Sequence, residues 1–121
     1  MRTLSFTEGS GKYQILATVV ECGKDLSVNF ISKEHGHIGA VAIASPRPSL
    51  KNKEKISATA SVFCVMGHKD DELAKMAALT FASLFNKTVT VTVGLHADAA
   101  TPEEVKGMVT SFNVLLEKII G

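Results

Sequence analysis

The segment 62–105, VFCVMGHKDDELAKMAALTFASLFNKTVTVTVGLHADAATPEEV, contains two strand-like runs, and each run leads into the start of a helix. The first run ends in GHKD at 67–70, and the second ends in GLHAD at 94–98. If the two strands are parallel in one sheet, with the helix between them as a crossover, both finish at the same end of the sheet. Open sheets with parallel strands bind ligands at that end. The segment therefore predicts that the following side chains lie close together: His68, Lys69, Asp70, His96 and Asp98.

The hydrophobic pattern of this segment predicts one helix followed by one strand. Apolar residues recur three and four positions apart over 73–85, which predicts an amphipathic helix that begins at Asp70 or Asp71 and ends near Phe85. Valine and threonine alternate over 88–95, which predicts a strand whose valines face the core.

A second helix is predicted by its N-terminal signature. Thr101 fits the N-cap, Pro102 the first helical position and Glu104 the reciprocal capping-box position. Apolar residues at helical spacing over 105–119 then predict one buried stripe on this helix.

Upstream of residue 62 the sequence predicts short strands joined by tight turns. The run AVAIA at 40–44 is small and uninterruptedly apolar, which predicts a central strand covered on both faces. The prolines of 45–49 are expected to end that strand in an extended loop. The sequence therefore predicts an α+β fold: an antiparallel β-meander plus a βαβ-like unit, with two amphipathic helices packed on the sheet. Residues 1–121 are expected to form a single domain.

Composition excludes several classes of function. A net charge of +1, with one tyrosine and no tryptophan, gives no basis for nucleic-acid binding. No apolar run approaches the roughly 20 residues that span a bilayer, and no signal peptide is recognisable, which favours a cytoplasmic protein. Cys22 and Cys64 fall in strand-like segments without a CxxC motif, which predicts reduced thiols in the core.

All four histidines fall at the ends of predicted elements, where side chains are both accessible and held in place: His35, His37, His68 and His96. We rank the binding of an anion such as phosphate first. Two helix N-termini near one end of the sheet would offer free N–H groups, and Lys69 adds a donor. The alternative is that each histidine is an ordinary solvated loop residue.

Catalysis and metal binding rank second and third. A His-Asp pair, His68 with Asp70 or His96 with Asp98, suits acid–base chemistry. No nucleophile stands beside either pair in a recognisable motif, so we assign no catalytic residue. The segment HGH at 35–37 holds the one close histidine pair, so we assign no metal ligand.

Four short motifs occur in an order and spacing that resemble the prenylated-flavin chaperone-like family: HIGAV at 37–41, SPRPS at 45–49, HKD at 68–70 and GLH at 94–96. The resemblance runs from about Tyr13 to the final helix. A named member of this family is the small D subunit associated with gallate decarboxylase, a partner of enzymes that use prenylated FMN. The layout is also similar, more distantly, to the small proteasome-assembly chaperones, which share the order of elements but not the histidines.

Both resemblances imply a non-catalytic, chaperone-like helper. The first implies FMN or prenylated FMN as ligand, and a flavin-dependent decarboxylase of hydroxyarylic acids as partner. It also implies a set of ligand-binding residues: His37, Gly39, His68, Lys69, Asp70 and His96. The second favours a homodimer and, as an alternative function, an assembly chaperone that binds protein and no small molecule. A small His/Asp enzyme or a metal-binding protein is the remaining alternative.

Overall fold

The computed structural model describes residues 2–65 and 70–121. Two α-helices, α1 (Asp70–Phe85) and α2 (Pro102–Ile120), accompany a six-stranded sheet, and a short 3-10 turn spans Gly11–Tyr13. The strands are β1 (Thr3–Glu8), β2 (Ile15–Cys22), β3 (Asp25–Ser32), β4 (Ala40–Pro48), β5 (Ile56–Cys64) and β6 (Val89–Gly94).

The sheet is mixed, with the strand order β1-β2-β3-β6-β4-β5. Strands β1, β2 and β3 form the predicted antiparallel meander, and β6 pairs in parallel with β3. Because β4 is antiparallel to both β5 and β6, these two run in the same direction, with β4 between them and α1 as the crossover. The predicted α+β fold is confirmed, and β3, β5 and β6 all finish at one end of the sheet.

Both helices pack on the same face of this sheet. The ring of Phe30 on β3 lies 6.4 Å from that of Phe81 on α1 and 4.4 Å from that of Phe112 on α2, centroid to centroid. Strand residues of this face alternate with outward-facing ones, and the valines of β6 point inward as predicted. The core therefore lies in one layer between the sheet and the two helices, and Phe30 is at its centre.

The prediction that β4 is covered on both faces is wrong. Ala40, Ala42 and Ala44 are buried, but Val41 is only half-buried and the side chain of Ile43 is 47% exposed. The reason is that both helices occupy the opposite face, so an apolar residue on this strand has a neighbour layer on one side only.

The expectation that 45–49 leaves the sheet is also wrong. β4 continues through Pro46 and Pro48, which pair with Ala58 and Ile56 of β5. β6 pairs only with 40–44, so beyond Ala44 this strand has a single neighbour. Proline is tolerated in such one-sided segments because the ladder on the vacant side needs no N–H donor.

The cysteine prediction is half right. Neither Cys22 nor Cys64 forms a disulfide, as expected. Both are exposed rather than buried. Cys22 has the outward parity on β2, where Ile15, Ala17 and Val19 face the core, and Cys64 is the last residue of β5.

The helix ends follow the predicted signals. α1 is followed by Asn86 at φ 53°, a left-handed conformation that asparagine adopts at helix C-termini. At α2, the N–H of Glu104 donates to Thr101 Oγ1, and the N–H of Thr101 donates to Glu104 Oε1, which completes the capping box. Neither helix in the described part of the chain combines the length and apolar character that a membrane crossing requires.

Removing the N-cap of α2 tests this local account. We expect Thr101→Ala to lower the free energy of unfolding by about 1 kcal/mol, measured by urea denaturation. The matched control is Thr110→Ala in the middle of α2. Its exposed hydroxyl donates back to the carbonyl of Lys106, and its replacement should leave stability unchanged or slightly raised. Equal losses in both variants would contradict the capping account.

The same capping box predicts a pH dependence for the effect of Glu104→Gln. The hydrogen bond from the backbone N–H of Thr101 lowers the pKa of Glu104. A carboxyl group whose pKa is lower in the folded than in the unfolded state adds its full stabilisation to the fold above the unfolded-state pKa. This stabilisation is lost as the pH falls through the folded-state pKa. The stability difference between Glu104→Gln, which has no titrating carboxyl group, and the unaltered protein should therefore shrink in acid, as measured by urea denaturation.

Candidate functional site

The ends of three strands meet at one end of the sheet, here called the histidine end. β3 stops at Ser32, β5 at Cys64 and β6 at Gly94, and β4 begins there at Ala40. The loop 33–39 joins β3 to β4 across this end, and α1 begins beside it. Topology therefore collects residues that are far apart in the sequence.

Two glycines allow the loop 36–39 to lie directly on the sheet. A Cβ at Gly94 would overlap the backbone carbonyl of His37, and a Cβ at Gly39 would overlap the carboxylate of Asp70. The N–H of Gly39 donates to the carbonyl of Val93 at 2.9 Å, and its carbonyl accepts from the N–H of Val65 at 2.8 Å. Both positions require glycine for close approach, which fixes the backbone of His37 over β6.

His37 faces the first residue of α1. Its Nε2 lies 3.9 Å from Oδ2 of Asp70, whose side chain is 5% exposed, against 28% for the imidazole. The other ring nitrogen, Nδ1, is 3.4 Å from the backbone carbonyl oxygen of His35. Because a carbonyl oxygen only accepts, this contact requires the proton on Nδ1. Nε2 itself is buried and makes no hydrogen bond within the part of the chain that the structure describes.

The other two described histidines form a ring pair. The imidazoles of His35 and His96 lie 5.0 Å apart, centroid to centroid, and are tilted by 47°. His35 adopts a left-handed φ of 56°, and the backbone N–H of His96 donates to Ser32 Oγ at 2.7 Å. Both residues are thus held at the histidine end by local geometry and by the last residue of β3.

The structure brings together four of the six predicted site residues: His37, Gly39, Asp70 and His96. His68 and Lys69 lie outside the described residues. Asp98 is exposed in the turn before α2. The ligand-binding role of all six residues remains a prediction.

Two residues that shape this site, His35 and Ser32, were not predicted from the sequence to belong to it. Ser32 is 2% exposed and continues the inward alternation of Val28 and Phe30 on β3. A polar residue at a core position at the end of a strand is a signal that could have identified it. The contact of His35 with His96 depends on a left-handed backbone conformation, which no pattern in the sequence indicates.

Both helix N-termini carry their own acidic residues. The first turn of α1 contains Asp70, Asp71 and Glu72, and that of α2 contains Glu103 and Glu104. Carboxylates at these positions interact favourably with the positive end of the helix dipole, and the capping box occupies two N–H groups of α2. Donors for an anion at the histidine end must therefore come mainly from side chains.

Two further features bear on the chemistry of the molecule. Among the described residues, no group of three or more His, Cys, Asp and Glu side chains is arranged to hold a metal ion. A cavity of about 220 Å³ lies near the start of β3, at the other end of the sheet from the histidines, and Arg2, Glu21 and Lys87 contribute to its lining. Arg2 Nε donates to Glu21 Oε1 at 2.6 Å, and this hydrogen bond lowers the pKa of Glu21.

The comparison with protein families decides the classification. The family model for the prenylated flavin chaperone LpdD-like domain matches residues 9–121. The chain belongs to this family. The match to the LpdD-like family contains every residue predicted for the site and every described element except β1. No curated protein matches the chain significantly.

A solved structure supports the fold of this LpdD-like domain. The chain is similar to a protein in the "Crystal Structure of a Novel Chaperone Complex for Yeast 20S Proteasome Assembly", with a TM-score of 0.55 and 9% sequence identity. The similarity covers 100% of both chains. At this identity it concerns the fold alone. Both resemblances predicted from the sequence are thus confirmed, one at the level of family and the other at the level of fold.

Proposed function

We propose that this domain binds a phosphate-bearing flavin, FMN or prenylated FMN, at the histidine end, and serves as a non-catalytic accessory protein. Membership of the prenylated flavin chaperone family supports the choice of ligand. The observation that carries the proposal is the arrangement around His37. Its imidazole faces the buried carboxylate of Asp70, and the His35–His96 ring pair stands at the same end of the sheet.

The donor groups fit a phosphate through side chains. His96 would donate to a phosphate oxygen, and His37 would do so through Nε2 when both of its ring nitrogens carry protons, because Nδ1–H already faces the carbonyl of His35. His68 and Lys69 are proposed as further donors. Asp70 is proposed as a positioning residue, because its buried carboxylate faces Nε2 of His37 and attracts the imidazole when that nitrogen carries a proton. Its carboxylate and those of its neighbours in α1 disfavour an anion at the helix N-terminus itself. The phosphate is therefore proposed to contact the imidazoles rather than the backbone N–H groups of α1.

The apolar part of the ligand also finds matching surface. Ile38 and Val65 expose large fractions of their side chains, and both flank Gly39, whose carbonyl bonds the N–H of Val65. The dimethylbenzene portion of the isoalloxazine and a prenyl group are apolar and would cover these side chains. Gly39 is proposed to contribute to the site by leaving room for the carboxylate of Asp70, which lies where a Cβ would be.

Titration with FMN, prenylated FMN and riboflavin tests the site. We expect His37→Ala and His96→Ala each to weaken FMN binding by about tenfold to a hundredfold, the effect of losing one hydrogen bond to a charged group. Riboflavin, which lacks the phosphate, should bind more weakly than FMN and should be insensitive to both substitutions. Fluorescence quenching or isothermal calorimetry provides the affinities.

Lys87→Ala provides the matched control, because Lys87 is a cation at the cavity on the other end of the sheet. Its affinity for FMN should equal that of the unaltered protein. If Lys87→Ala weakens binding while both histidine variants bind normally, the ligand occupies that cavity and the proposed site is wrong. Absence of FMN and prenylated FMN binding by the unaltered protein would also overturn the proposal.

The proposed partner is a flavin-dependent decarboxylase of hydroxyarylic acids, to which the domain would deliver or present the flavin. An alternative is an assembly chaperone that binds protein and no small molecule. The outward sheet face, with apolar Ile43 and Phe63 exposed, favours this second function because such surfaces are typical of protein contacts. Co-elution with the decarboxylase that depends on FMN supports the first function. Co-elution that persists in His37→Ala and without flavin supports the second.

A further inference from the structure

The sheet face that points away from both helices, here called the open face, has no covering layer among the described residues. Val28 and Phe30 of β3 point into the core, so Asn29 and Ile31 point outward. The same alternation places Val41, Ile43, Thr90 and Thr92 on the open face.

Charged residues are scarce on the open face. The chain carries 13 Lys and Arg and 12 Asp and Glu, yet among described strand residues with outward parity the charged ones are Asp25 and Arg47. Both lie at the end of the sheet away from the histidines, and both are engaged. Asp25 Oδ1 accepts from the N–H of Thr88 at 3.0 Å, and Arg47 Nε donates to Thr59 Oγ1 at 2.8 Å. On a sheet with one face in solvent, polar and charged outward residues normally alternate along each strand with apolar inward residues. The centres of protein interfaces, in contrast, are depleted of charged residues.

Small polar residues and several apolar residues occupy the outward positions instead. Phe63 is 71% exposed and lies opposite half-buried Val41 in the β4–β5 register, and Ile43 is the next outward residue on β4. On the other half of the sheet, Leu16 lies opposite Ile31. Threonine, serine and asparagine fill the positions between, so the face is neutral and able to hydrogen-bond.

The size of the open face matches a standard protein interface. Six strands spaced about 4.8 Å apart and about eight residues long, at about 3.3 Å per residue, cover about 750 Å². Stable interfaces bury about 800 Å² on each partner. Sheets also pack face to face readily, about 10 Å apart, as in β-sandwiches.

We propose that the open face is a self-association surface, on which a second copy of this chain stacks sheet to sheet across a two-fold axis. A second copy of the chain is the expected partner because the open face carries no excess of positive or negative charge. Such a face does not attract an oppositely charged protein and does not repel its own copy. Because the partner would be the same sheet, the two contacting faces have equal areas. The proposal does not depend on flavin binding, since the histidine end lies at one end of the strands and the open face on their broad side.

Sedimentation velocity over about 1 to 100 µM protein tests the proposal. The unaltered chain should sediment as a dimer of twice 12.9 kDa. Phe63→Asp places a charge on the open face and should weaken dimerisation by about 30-fold or more, as loss of a buried aromatic anchor does. Ile43→Asp is the second variant and should act in the same direction. Leu84→Asp is the matched control, because Leu84 is also an exposed apolar residue but lies on α1. It should leave the dimer intact.

Circular dichroism establishes that each variant is folded, and FMN binding by the dissociated variants separates this proposal from the flavin site. A monomer at all concentrations overturns the proposal. So does a dimer that Leu84→Asp weakens and the two sheet variants do not, since the interface would then lie on the helix layer. A face that binds only another protein, with no dimer of this chain, also overturns it.

Discussion

Replacement of Phe30 by alanine is expected to lower the free energy of unfolding by about 3 to 5 kcal/mol. Phe30 is fully buried at the centre of the sheet, and its ring contacts Phe81 of α1 and Phe112 of α2. One side chain therefore links the two helices to each other through the sheet. Because the helices belong to separate segments of the chain, neither can close the resulting cavity without moving against the sheet, so the cost should lie toward the upper end of this range.

Urea denaturation monitored by circular dichroism gives this free energy. Leu84→Ala is the control, because Leu84 is also a large apolar residue but lies exposed on α1, and its truncation should cost less than about 0.5 kcal/mol. A loss of less than about 1.5 kcal/mol for Phe30→Ala would mean that the two helices do not share one core through this ring. An equal loss for both variants would lead to the same conclusion.

Local patterns in the sequence predicted most elements correctly because each depends on neighbouring residues. The alternation of valine and threonine gives β6, and the Thr101–Glu104 capping box gives the start of α2. The helical spacing of apolar residues gives α1 from Asp70 to Phe85. Each of these signals arises from residues that are close together in the sequence, so it can be recognised without knowledge of the fold.

Strand order and the covered face depend on the whole molecule, and the sequence could not determine them. The insertion of β4 between β5 and β6 leaves no mark on the local pattern of any of the three strands. The run AVAIA is equally suitable for burial on one face or two, and only the placement of both helices on one side decides. Pro46 and Pro48 likewise suggested a loop. The strand tolerates them because β6 ends beside Ala44 and leaves one side of β4 without a neighbour, which no local pattern indicates.

Topology predicted part of the candidate site, and the resemblance to the prenylated-flavin chaperone-like family added His37 and Gly39. Parallel directions for β5 and β6 were sufficient to bring Asp70 and His96 to one end of the sheet. The position of His37 in the connecting loop completed the group that the structure describes. The acidic first turn of α1 was visible in the sequence, but its opposition to an anion at the helix N-terminus becomes evident only when Asp70 is seen to be buried beside His37.

Gly94→Ala is expected to disrupt the fold and the site together. The added Cβ would overlap the backbone carbonyl of His37, and neither this loop backbone nor the strand carrying Gly94 is a flexible side chain that can rotate away. Relief requires the loop 36–39 to lift from β6, which removes the hydrogen bond between Gly39 and Val93. We expect the free energy of unfolding to fall by about 3 kcal/mol or more. FMN binding should be lost under conditions in which the variant is still folded, because His37 moves away from Asp70.

Gly107→Ala is the matched control, and it should change stability in the opposite direction. Gly107 lies within α2, and a Cβ there would meet no atom within 4 Å among the described residues. Alanine should therefore raise the free energy of unfolding by about 0.5 to 1 kcal/mol and leave FMN binding unchanged. Opposite signs for one chemical change at two glycines would show that contact with His37, and not the general flexibility of glycine, determines the effect. If Gly94→Ala retains full stability, the loop does not rest on β6, and the geometry that positions His37 for a ligand is wrong.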